Sequence, residues 1–255
     1  MHRGGPVATL TLDRPQARNS LEPGLIGEIT DAYRTLGGDA EVRVIVMTGA
    51  GSAFCAGADI NWMREAAAQS EDESREGSAA AAAMFEAVDS CPKAVIGRVN
   101  GAAIGGGAGL VACTDVAIAD CSAAFAFSEA RLGVIAAVIS PYVLRRIGPG
   151  PARALYTTAR RFDAAEALRI GLVHEVVDAD GLDGAVAAAV ADVLACSPAA
   201  IAESKRLVRD ATAGLRLPDL ADRLAAARRS PDGQEGLAAF LEKRRPAWAP
   251  SEPSS

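Results

Sequence analysis

The chain has 255 residues, half of them apolar, which is enough to bury a large core in one domain or in a domain with an appendage. Its 26 Lys and Arg against 32 Asp and Glu leave a net charge of −6, which disfavours broad binding to a nucleic-acid backbone but permits a small anionic ligand held by a few local cations. The opening Met1-His2-Arg3-Gly4-Gly5-Pro6 lacks an apolar signal core and no stretch reads as a membrane helix, so the expectation is a cytoplasmic enzyme with neither membrane nor nucleic-acid partner.

In chain order, β-rich apolar runs at Val7 to Leu12, Val42 to Thr48, Ala94 to Val99, Val116 to Ala119 and Ala124 to Phe127 alternate with helical stretches, which predicts an α/β fold. After the second run comes a glycine-bearing turn, Phe54-Cys55-Ala56-Gly57-Ala58-Asp59-Ile60. A strand, a tight turn and a following helix place free backbone amides at the helix start. Between Met63 and Asp89 the chain turns alanine- and charge-rich, predicting a mobile helix or loop with weak commitment to the core.

The run Asn100 to Leu110 carries three consecutive glycines, Gly105, Gly106 and Gly107, leading into an apolar segment without a phosphate-binding lysine. Lacking Cβ atoms, they let the main chain approach a ligand and point helix-start N–H groups at developing negative charge. That is half of an oxyanion hole, and the turn at 54–60 offers the other half. From Ser197 onward, helices at Pro198 to Thr212, Pro218 to Arg229 and Pro231 to Arg244 each begin at a proline.

The five cysteines include no CxxC pair and read as small apolar core residues in a reducing compartment. His2 lies at the N-terminus, expected to be frayed, and His174 within the strand-like Gly171 to Val177. Neither offers Cys55 a catalytic partner, and no metal site is expected.

Taken with Leu12-Asp13-Arg14-Pro15, Arg18-Asn19-Ser20-Leu21, Phe127-Ser128-Glu129, Arg169-Ile170-Gly171-Leu172-Val173 and Phe240-Leu241-Glu242-Lys243-Arg244, the two turns make the chain resemble the enoyl-CoA hydratase/isomerase (crotonase) family over nearly its whole length. The resemblance implies a crotonase-like α/β spiral of repeated ββα units over 1–196, carrying the CoA and active sites. It also implies a C-terminal helical oligomerisation region over 197–255 that forms homotrimers or hexamers. It places the two oxyanion amides on Ala58 and Gly106 and the substrate contacts on Ala56, Asp59, Ile60 and Gly105. Arg18 and Lys243, with Arg14, sit in segments that line the CoA site in relatives, although each reads equally well as a solvated charge. Trp62, Met63, Met84 and Phe85 are candidates for the acyl pocket. No separate cofactor is implied, because coenzyme A enters as part of the acyl-CoA thioester substrate.

Hydratases of the best-known type in this family carry two glutamates. Here the first position is Gly109 and the second is Glu129, whose flanks Phe125, Phe127 and Leu132 are expected to desolvate the carboxyl and raise its pKa. A missing first acid fits an isomerase that moves one proton with one base, or a hydratase with a changed substrate. A non-catalytic CoA-binding scaffold is the third possibility. The segments 107–113, 127–135 and 138–143 resemble 3-methylglutaconyl-CoA and isohexenylglutaconyl-CoA hydratases, apart from Ala136 where relatives usually have proline. On that resemblance Gly109 leaves room for a branch or a distal carboxylate, and Arg131 is a candidate to receive that carboxylate.

Overall fold

The computed structural model describes residues 1–250 apart from 67, 213 and 215; residues 251–255, included in the expected C-terminal region, lie outside the described residues. Strand β1 (His2–Gly4) turns back through Gly5, at φ +59°, onto β2 (Val7–Leu12). Ala8, Leu10 and Leu12 alternate inward along β2, as a half-buried strand requires. Helix α1 (Pro23–Gly38) starts at a proline and is capped by the Glu22 carboxylate, which accepts the N–H groups of Gly24 and Leu25. Its inner face, Leu25, Ile26, Ile29, Tyr33 and Leu36, follows the helical period into the core.

Three strand pairs then repeat: β3 (Val44–Gly49) with β4 (Ala53–Cys55), β5 (Ala94–Val99) with β6 (Ala102–Ile104), and β7 (Val116–Asp120) with β8 (Ala124–Ala126). Helices α2 (Ile60–Ala66) and α3 (Glu71–Asp89) follow the first pair and α4 (Gly106–Cys113) the second. A 3-10 turn over Glu129–Leu132 follows the third. The remaining strands and α-helices are α5 (Ser140–Ile147), α6 (Pro149–Thr158), β9 (Phe162–Asp163), α7 (Ala164–Arg169), β10 (Glu175–Val177), α8 (Leu182–Leu194), α9 (Pro198–Thr212), α10 (Leu217–Arg229) and α11 (Pro231–Glu242).

The first strand of each pair enters a six-stranded sheet, β1-β2-β3-β5-β7-β10, and the second a four-stranded sheet, β4-β6-β8-β9. Consecutive turns stack in parallel, Val44 beside Ala94 and Ile96 beside Val116, so the chain climbs as a spiral of strand, strand and helix. In the fully buried β3, Ile45 and Met47 face the main core while Val44 and Val46 join Ile96, Ile118, Leu182 and Val186 under α8. Burial on both faces is what a parallel sheet demands.

The alanine-rich region is helical. Ser70 and Glu73 form a capping box at the start of α3, whose far end buries Met84, Phe85 and Val88 while its first half is exposed. The C-terminal helices are tied back to the sheets. Lys205 Nζ donates to Asp115 and to the Lys93 carbonyl, and Arg43 donates to the carbonyls of Leu194, Cys196 and Trp248. Leu237, Phe240 and Leu241 stay exposed, at 52%, 81% and 77%, an apolar face left uncovered by the described residues. Among the described residues no single helix is long and apolar enough to cross a membrane.

Two readings are corrected here. Cys55, Cys91 and Cys113 are buried, but Cys121 and Cys196 are exposed rather than in the core. His2 is not frayed but paired with Thr9 across β1 and β2.

Candidate active site

Each of the three glycines has its own steric reason. Gly105 sits at φ +52° and ψ −117°, a region open essentially to glycine, and a Cβ there would lie 3.2 Å from Glu129 Oε1. A Cβ on Gly106 would meet Leu21 Cδ1 at 2.9 Å, and one on Gly107 would fall 2.1 Å from the Cys55 carbonyl oxygen. The start of α4 is therefore pressed against β4. Gly57, at φ +88°, closes the facing turn, and a Cβ on it would lie 3.7 Å from the Gly106 nitrogen. Glycines on both sides bring the two turns together.

The turn at 56–60 is held by Leu21, which donates to the Gly57 carbonyl at 2.7 Å and accepts from Asp59 N at 2.8 Å. This parallel bridge turns the Ala58 N–H away from Leu21. Gly106 is the first residue of α4, so its N–H has no intrahelical acceptor. Neither N–H has an acceptor among the described residues. Both residues line a cavity of about 720 Å3 together with Glu129, Leu21, Ile26, Trp62, Met63, Phe85 and the run 133–139.

Glu129 opens the 3-10 turn after β8 and is half-buried. Its Oε2 is buried with no hydrogen-bond partner among the described residues. Burial pushes its carboxyl above the ordinary carboxylate range, only partly offset by a backbone hydrogen bond. Of the flanking apolar residues expected to desolvate it, Phe125 and Phe127 are buried, whereas Leu132 is 59% exposed. Glu129 is the one carboxylate lining the cavity among the described residues, and no Lys, Arg or His lines it.

The other sequence candidates take different places. Ala56 N donates to the Arg18 carbonyl, which fixes the turn. Ile60 is 68% exposed at the start of α2. Asp59 is buried and caps α2: its Oδ1 accepts Asn61 N, while its Oδ2 accepts Ser20 Oγ at 2.8 Å and pairs with Arg14. The Ser20 hydroxyl above all holds its carboxyl below the ordinary carboxylate range. Arg18 and Lys243 are exposed, both at positive φ, and neither lines the cavity. Arg131 is also exposed, and its Nε donates to the Ala159 carbonyl at 2.8 Å. Trp62, Met63 and Phe85 line the cavity, whereas Met84 lies wholly in the core.

The expectation of free room at Gly109 is corrected. The space beside its Cα is filled by Ile139 Cγ2, 2.3 Å from where a Cβ would stand, and by Phe85 Cε1 at 3.1 Å. Gly109 is absent from the cavity wall, and Ile139 presents there instead.

Sequence reasoning quoted Asn19 within a motif but gave it no role; it is 0% exposed and at φ +57°. Its Oδ1 accepts Arg14 N, and its Nδ2 donates to the carbonyls of Ala50 at 2.9 Å and Ala53 at 2.8 Å. It thus ties the segment before α1 to the β3–β4 turn. Replacing Asn19 by Ala orphans these buried groups and is expected to cost at least about 2 kcal/mol. Urea unfolding measures this, and an unchanged midpoint would show the clamp to be dispensable.

Two N–H groups with no acceptor among the described residues, on residues that line one cavity with a desolvated carboxyl, can hold an oxygen that gains negative charge while the carboxyl moves a proton. A family model described as enoyl-CoA hydratase/isomerase matches residues 2–251. A putative enoyl-CoA hydratase from Thermus thermophilus is 33% identical over 96% of this chain and 98% of that protein. A crotonyl-CoA hydratase from Syntrophomonas wolfei is 35% identical over 94% of this chain and 93% of its own. Among solved structures, Pseudomonas aeruginosa AtuE is similar with a TM-score of 0.94 and 38% identity, covering 98% of each chain.

Proposed function

The chain belongs to the enoyl-CoA hydratase/isomerase family, and from that premise, an enzyme of the hydro-lyase type acting on enoyl-CoA thioesters, we propose that Glu129 alone carries the proton transfers of a reversible hydration. The observation that carries this reading is the convergence of the Ala58 N–H, the Gly106 N–H and the desolvated Glu129 carboxyl on one cavity.

In the proposed mechanism the thioester carbonyl oxygen accepts both N–H groups, which draws electron density from C3. Glu129 takes a proton from water as its oxygen bonds to C3, and the C2–C3 π pair moves to leave an enolate on the thioester oxygen. The protonated Glu129 then returns that proton to C2, so the sum is one water added. Each amide is expected to contribute about 3 kcal/mol to stabilising the enolate-like transition state. A raised pKa suits a group that is base and then acid in one turnover.

For the acyl chain we propose a 3-branched 2-enoyl group of the 3-methylglutaconyl type. Its support is the resemblance of the 107–143 segments and the single acid, since a 3-substituent lets C3 carry more positive character and lessens the need for a second base. With Arg131 turned to Ala159, a distal carboxylate would meet Gln69, Ser74, Ser78 or solvent. One carboxylate on the cavity wall equally favours a second reading, a shift of the double bond from the 3,4 to the 2,3 position. The exposed Leu237, Phe240 and Leu241 support assembly into trimers, which light scattering tests.

The deciding experiment incubates the protein with 3-methylglutaconyl-CoA, crotonyl-CoA and a 3-enoyl-CoA and follows product mass. Gain of one water, fastest on the branched ester, is the expected result. A moved double bond at unchanged mass would replace hydration by isomerisation, and silence on all three would favour a CoA-binding scaffold.

A further inference from the structure

A second crevice, of about 500 Å3, lies between the end of α4, α5 and α9 and shares no lining residue with the cavity of Glu129. Four cations line it. Two are matched by carboxylates: Arg145 pairs with Asp89, and Lys205 with Asp115 at 2.6 Å. The other two are not.

The Arg146 guanidinium reaches only the carbonyls of Ala112 and Thr114 at the end of α4 and the ring of His174. Arg209 makes no side-chain hydrogen bond or ion pair with the described residues. Asp115 and Asp89 act on Arg146 only from a distance, each being already paired with Lys205 or Arg145, and carbonyl dipoles at a helix C-terminus supply only a fraction of a charge.

The contact between Arg146 and His174 points the same way. His174 Nδ1 accepts the Ala117 N–H at 2.9 Å, so the ring proton must sit on Nε2. Arg146 Nη1 stands 2.8 Å from that Nε2. Two donors therefore face each other with no acceptor between them. An oxyanion beside the pair would accept from both and resolve the mismatch.

We propose that this crevice binds a phosphate-type dianion, its two charges matching Arg146 and Arg209 and its oxygens accepting from Arg146 and from His174 Nε2–H. The same chemistry is offered by free inorganic phosphate and by a phosphomonoester, and the crevice has room for the body of a small ester. The proposal is independent of the acyl-CoA reading, because none of its residues touches the Glu129 cavity.

The test titrates the whole protein, without any CoA ester, with inorganic phosphate and separately with glycerol phosphate, following heat and melting temperature against chloride at matched ionic strength. Saturable one-to-one binding is expected, weakened about tenfold to a hundredfold in Arg209→Gln and in Arg146→Gln. Arg146 also ties α5 to α4, so if that variant fails to fold, Arg209→Gln decides. Tighter binding of the ester assigns a phosphorylated metabolite, and equal binding assigns free phosphate. No saturation, or equal affinity in both variants, would overturn the proposal and leave an adventitious ion only.

Discussion

Glu129→Gln is expected to lower turnover by about a hundredfold to ten-thousandfold while binding of the CoA ester changes little. The amide preserves the size of the side chain and removes its capacity to take a proton. Binding rests on Ala58 N–H, Gly106 N–H and the apolar walls, none of which the substitution alters. Steady-state kinetics alongside binding of a non-reactive CoA thioether separates the two, and turnover at the wild-type level would remove Glu129 from the mechanism.

The same side chain fixes a pH dependence. Because burial raises its pKa in the folded protein, Glu129 becomes a competent base only above the ordinary carboxylate range, and the acid limb of kcat/KM should sit there. Stability runs the other way. Below the unfolded-state pKa the group is protonated in both states and contributes nothing to the dependence. Between the unfolded and the raised folded values the folded protein binds more protons, so stability falls as pH rises through that window. Glu129→Gln should abolish this fall and be the more stable protein at neutral pH, a reversal of the usual sign for a substitution near the core.

Gly109→Glu, which would restore a second acid by sequence alone, is expected instead to unfold the protein or to lower its melting temperature sharply. Gly109 is buried in α4, and the first atom added meets Ile139 Cγ2 at 2.3 Å and Phe85 Cε1 at 3.1 Å. Even Gly109→Ala should cost about 1–3 kcal/mol through overpacking. The carboxylate adds a desolvation cost of several kcal/mol. Ile139→Ala removes the offending Cγ2, so Gly109→Ala combined with Ile139→Ala should be more stable than the sum of the two single effects. Thermal melts of the four proteins in that cycle give the coupling. A Gly109→Glu variant that folds well and hydrates straight-chain esters would show that Ile139 can move aside, returning room to the position.

Much of the architecture is legible because it is written in short-range chemistry. The runs at 7–12, 94–99 and 116–119 are continuous and β-rich, and they form β2, β5 and β7 nearly to the residue. Prolines mark α9 and α11 because proline fits the first turn of a helix and little else in it. Of the strands of two or three residues only β8 is marked by a run of its own; β1, β4, β6, β9 and β10 are too short to carry a period and owe their form to the neighbours they pair with. The buried end of α3 is likewise a tertiary outcome. Its alanines specify helix, but Met84, Phe85 and Val88 are core only because α1 and α4 close over them.

The sequence by itself determined the longer strands, the glycine-dependent backbone at 57 and 105–107, and the acid at 129. These depend on what a residue can do with its own φ, its own Cβ or its own charge. The tertiary structure decided what surrounds them: that Ile139 fills the space at Gly109, that Asp59 is a cap bound to Ser20 and Arg14, and that Arg131 serves the Ala159 carbonyl. It also decided that Arg146 meets His174 in the wall of a crevice no motif announces. Contacts between residues far apart in the chain carry no local pattern, because packing and desolvation belong to the place where segments meet rather than to either segment.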